Sequence, residues 1–64
     1  MVTKEEFENK WKEVKSNLKT VVLITDDIIS ANRVVINKTY ILLYRNEYNI
    51  AVVDYKNIKN VKGD

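Results

Sequence analysis

The sequence predicts an α+β fold: one N-terminal amphipathic helix followed by a small five-stranded antiparallel bent sheet or barrel, in a single domain over residues 1–64. Three observations predict it. Apolar side chains recur at helical spacing through the first eighteen residues. From Thr20 the chain changes to β-branched and aromatic runs. The links between those runs are too short for a crossover helix, so neighbouring strands must run antiparallel, as a meander.

The helix is expected over about 3–18. Thr3 followed by Glu6 fits a capping box, in which the hydroxyl and the carboxylate each take one backbone N–H. Phe7, Trp11, Val14 and Leu18 then form one stripe of period 3.6. Glu6–Lys10 and Glu8–Lys12 are i,i+4 pairs in the favoured order, each worth about 0.2–0.5 kcal/mol. Acids early and lysines late suit the helix dipole. The stripe is narrow and the glutamates would repel an anionic membrane, so it is read as packing on the sheet rather than on a bilayer.

The strands occupy about 20–62. Residues 20–25 form the first, and Asp26-Asp27 a turn. Ile28–Ala31 reads as a short strand or an extended link. Arg33–Ile36, Tyr40–Arg45 and Tyr48–Asp54 read as strands, separated by turns at Asn37-Lys38-Thr39 and Asn46-Glu47, and 58–61 closes the sheet. Two strands are apolar on both faces. Ile41 and Leu43 oppose Tyr40, Leu42 and Tyr44, while Ile50 and Val52 oppose Ala51 and Val53. One core has one inside, so the second face is expected to meet the helix or another chain.

Composition bounds the function. The chain has 64 residues, no Cys, no His, no Pro and one Gly. Thiolate chemistry, the commonest general base, the commonest metal ligand and Gly-rich phosphate loops are therefore missing. Asp26, Asp27, Glu47 and Asp54 offer no spacing that converges three oxygen ligands. A non-enzyme without cofactor or metal is expected. No apolar stretch approaches the about 20 residues of a membrane span, and the N-terminus lacks a signal-type apolar region. The sequence therefore reads as cytoplasmic, with no membrane partner. A domain this small buries only about 60% of its unfolded surface. With no disulfide available, a homo-oligomer is expected. The net charge of +2 is compatible with nucleic acid but far from a strongly basic footprint.

One helix followed by five short strands resembles the Sm-like family, which includes Hfq. Asn37-Lys38-Thr39-Tyr40-Ile41-Leu42-Leu43 resembles the family's turn and Ile-Leu-Leu-type strand. Tyr55-Lys56-Asn57 resembles the Tyr-Lys-His turn, with Ile58-Lys59-Asn60-Val61 after it. The chain departs from the pattern where Asp26-Asp27-Ile28-Ile29 replaces an Asn-Gly hairpin, near Arg33 where a Gly would bend the next strand, and in having no His. The resemblance implies an Sm/SH3-like barrel, a homo-oligomeric ring and single-stranded RNA as ligand. It implies a site of Asn37, Lys38, Lys56 and Asn57, with Tyr40 or Tyr55 as a stacking platform. That set supplies an aromatic face for a base, cations for phosphate and amides for base edges. Read without the resemblance, the tyrosines are amphipathic interface residues and Lys56, Lys59 and Lys62 a solvated tail. The end of the chain also looks like the close of small bacterial PH-like and YolD-like domains, which bind proteins or lipids. The alternative function is a phage- or mobile-element-type interaction or inhibitor module, taking a host protein or sequestering a small ligand. Small size, abundant Lys, Asn and Ile, and two-faced strands support it.

Overall fold

The computed structural model describes residues 2–63. Helix α1 spans Lys4–Glu13. Six strands follow: β1 Lys19–Leu23, β2 Ile28–Ala31, β3 Arg33–Ile36, β4 Tyr40–Arg45, β5 Tyr48–Asp54 and β6 Ile58–Gly63. A 3₁₀ turn, Tyr55–Asn57, separates the last two. They build two three-stranded antiparallel sheets, ordered β2-β1-β6 and β3-β4-β5.

This corrects the expectation of five strands in one bent sheet or barrel. The chain breaks at Asn32, so that β2 pairs with β1 while β3 pairs with β4. The Asn32 N–H donates to the Tyr44 carbonyl at 3.1 Å, and its side-chain Oδ1 accepts from the Asn46 N–H at 2.9 Å. The meander is also corrected. β6 lies beside β1, not beside β5, because the 3₁₀ turn swings the chain across, and the Ile24 N–H donates to the Asn57 carbonyl at 2.9 Å. No glycine is used at the first hairpin. Asp26 takes the left-handed conformation itself, with φ 71°, and Asn46 does so at the β4–β5 turn, with φ 59°. Aspartate and asparagine tolerate that region better than other non-glycine residues.

The helix is shorter than its apolar stripe. The capping box forms: the Glu6 N–H donates to Thr3 Oγ1, and the Thr3 N–H donates to Glu6 Oε1, both at 3.1 Å. Val14 is extended at the C-cap, φ −75° and ψ 120°. Its N–H still donates to the Lys10 carbonyl, but Leu18 lies beyond the helix. Of the two i,i+4 pairs, Glu8–Lys12 forms at 3.9 Å. Glu6 is engaged by the cap, and Lys10 donates instead to Asn60 Oδ1 on β6.

Phe7, Val21, Ile41, Leu43 and Ile58 are fully buried. Burying each contributes about 1.5–3 kcal/mol. Phe7 joins the helix to the sheets, its ring 5.8 Å from Trp11 and 6.1 Å from Tyr55. The alternation along β4 and β5 is as expected: Ile41, Leu43 and Val53 point inward. Across the outer face, Val35, Leu42 and Val52 are direct cross-strand partners. Val52 is 61% exposed and Ile50 43%. Ile50 is the extra residue of a bulge, between the pairs Leu43–Ala51 and Tyr44–Asn49. Asn49 Nδ2 ties the bulge by donating to the Leu43 and Ala51 carbonyls at 3.0 and 3.1 Å.

Candidate functional site

The six expected site residues lie on two segments: the β3–β4 turn (Asn37, Lys38, with Tyr40 opening β4) and the 3₁₀ turn (Tyr55, Lys56, Asn57). These segments meet. The Tyr55 hydroxyl donates to the Asn37 carbonyl at 2.6 Å, and the Tyr55 N–H to the Thr39 carbonyl at 3.4 Å. The 3₁₀ turn forms here because Asp54 ends β5 and the Ile58 N–H returns to the Tyr55 carbonyl. Thr39, which sequence reading did not single out, is half of the fastening.

Tyr55, expected as a candidate stacking platform, has little of its surface open. It is buried, packed against Phe7, and its hydroxyl is already engaged. Burial pushes its pKa up, and the negative charge of Glu8 adds to the shift. It is a post that holds the two segments together. Tyr40 keeps part of its ring in solvent, 37% exposed. Lys38, Lys56 and Asn57 are exposed, and neither lysine is in an ion pair among the described residues. Asp54, exposed and opposite Tyr40 in register, reduces the positive charge of the patch. The arrangement offers two exposed cations, one partly open aromatic ring and the amides of Asn37 and Asn57. It has no nucleophile–base pair.

A second polar cluster, at the other end of β4, was not legible as a site. Asn17, Asn32, Arg33, Asn46 and Glu47 line an open recess of about 430 Å³. They come from three separate stretches, and no spacing announces them. The one available signal is that both arginines of the chain, Arg33 and Arg45, lie next to asparagines at bends.

Among the described residues no group of three His, Cys, Asp or Glu could hold a metal ion. No described helix is long and apolar enough to cross a membrane. No protein-family model, curated protein or solved structure matches the chain.

Proposed function

We propose that this chain is a non-catalytic, homo-oligomeric module that binds single-stranded RNA through Asn37, Lys38, Tyr40, Lys56 and Asn57. The observation that carries the reading is the hydrogen bond from Tyr55 to Asn37, which joins two distant segments into one surface. On that surface Lys38 and Lys56 meet phosphates, Tyr40 offers a ring face to a base, and the two amides take base edges. This is the function that a resemblance to the Sm-like family implies.

Two features favour assembly. The outer face of the second sheet carries a cross-strand row of Val35, Leu42 and Val52 with Tyr40 and Ile50 around it. β5 is an edge strand without a Lys or Pro to block pairing with a neighbour. A second copy covers the apolar row without lengthening the chain.

Titration of short single-stranded oligouridylates and oligoadenylates in rising salt tests the reading. The logarithm of affinity should fall linearly with the logarithm of salt, by about 0.7 per phosphate neutralised. A K38A/K56A double variant should bind more weakly and show a shallower slope. No binding at low salt overturns the proposal. Light scattering at micromolar protein should give a mass above the 7.5 kDa of one chain.

A further inference from the structure

The polar recess at the far end of β4 carries an inference independent of the RNA reading. Arg33 lines it, Arg45 precedes its lining residue Asn46 in the chain, and the two arginines are used differently. Arg45 Nη2 donates to the Ser30 carbonyl at 3.0 Å and so braces the bend between the sheets. The Arg33 guanidinium lies over the Tyr44 ring, 5.1 Å from its centroid. That contact holds the guanidinium beside the ring, and its N–H groups make no hydrogen bond among the described residues. Arg33 is in no ion pair among the described residues.

The amides around it are also held in place. Asn32 Nδ2 donates to Asn46 Oδ1 at 3.0 Å, while the Asn46 N–H donates to Asn32 Oδ1 at 2.9 Å. Each amide oxygen thus already accepts one hydrogen bond and keeps one lone pair. The pair has more donors than acceptors left to offer: both Asn46 Nδ2 hydrogens and the second Asn32 Nδ2 hydrogen against one lone pair on each oxygen. Asn17 adds an amide without a hydrogen-bond partner among the described residues, and Glu47 adds a carboxylate. The wall thus combines one cation, an excess of donors and a single anionic acceptor. A bare anion would meet Glu47 as a repulsion. A ligand carrying both an anion and hydroxyl or amino donors uses every group. The volume of about 430 Å³ lies within the range of about 300–1,000 Å³ typical of small-ligand sites.

We infer that this recess binds a phosphorylated ribonucleoside. Arg33 takes two phosphoryl oxygens in its fork. Asn32 and Asn46 donate to the remaining acceptors. Glu47 accepts from the ribose hydroxyls or a base amine. The nucleotide arrives free or as one unit of an RNA chain.

The test is an NMR titration of the ¹⁵N-labelled full chain, following Arg33 Nε–H and the side-chain amides of Asn17, Asn32 and Asn46. The probes are uridine and adenosine monophosphates, a short oligouridylate and inorganic phosphate. Saturable shifts of these signals with the monophosphates are expected. R33K should weaken binding by about tenfold, because a point charge replaces the fork, while leaving the melting temperature unchanged at this exposed position. K38A/K56A should leave the monophosphate response intact, so a failure of the RNA surface is read separately. A response to the oligouridylate at lower concentration than to the monophosphates assigns the recess to an RNA unit, and the reverse order assigns it to the free nucleotide. The absence of shifts up to millimolar ligand overturns the inference. So does inorganic phosphate reproducing the full pattern, or R33K binding like the wild type.

Discussion

The Tyr55 hydroxyl and the Asn37 carbonyl, 2.6 Å apart, join the last turn of the chain to the turn between β3 and β4. A phenol buried against Phe7 thereby does structural work that its sequence context disguises as ligand binding. Y55F keeps the ring and deletes the donor. It should cost about 1 kcal/mol, read as a lower urea midpoint with an unchanged m-value. Under the proposed function, affinity for the oligonucleotides should fall in parallel.

The same hydroxyl should lower stability at alkaline pH. The native pKa of Tyr55 lies above its ordinary value of 10.0, chiefly through burial. The native state therefore favours the neutral form. Its contribution is complete below the unfolded value and is lost as pH rises from there through the native one. Stability measured against pH should fall across that window in the wild type, and less steeply in Y55F. Equal slopes would show that another group is responsible.

At the other end of the pH scale, the capping box should contribute. The backbone N–H of Thr3, and then its hydroxyl, hold the Glu6 carboxyl below the usual range. This is a depressed acid, so its stabilisation is present above about pH 4.5 and fades as pH falls through the native value. T3A should lower stability by about 1 kcal/mol at neutral pH. E6Q should flatten the acid limb of the curve. Circular dichroism melts at a series of pH values measure both.

Val52 and Val53 are adjacent, yet they should respond oppositely to charge. Val53 is 6% exposed in the core, and Val52 is 61% exposed on the outer face. V53D buries an unpaired carboxylate and should unfold a domain stabilised by only about 0.05–0.15 kcal/mol per residue. V52D should keep the circular dichroism spectrum and reduce the light-scattering mass to that of one chain. A wild-type mass already equal to one chain would remove the assembly from the proposal.

How much was legible follows from the range of the interactions. The capping box and the two-faced alternation of β4 and β5 are local, and they read directly from residues three or two apart. The end of the helix did not, because Val14 and Leu18 keep the helical spacing while the backbone at Val14 has already become extended. The division into two sheets was hidden for a similar reason. It hinges on Asn32, whose bonds go to Tyr44 and Asn46 rather than to its neighbours. In the candidate site the two segments were legible as turns. Which of their tyrosines faces solvent was not, since that depends on where Phe7 packs. The Arg33 recess is assembled wholly by tertiary contact and has no pattern along the chain.

The pairing of β1 with β6 has a consequence for biosynthesis. Lys19 lies opposite Gly63, and Val21 opposite Val61. On the ribosome, β1 and the β2 hairpin emerge before β6, so one flank of β1 waits for Ile58–Gly63 to be made. The helix waits as well, because Lys10 of α1 finds its partner on β6. Contacts of such separation slow folding relative to size. During that interval Val21 and Phe7 have no complete core to enter, so nascent chains stalled before Ile58 should be the species that aggregates or recruits chaperones.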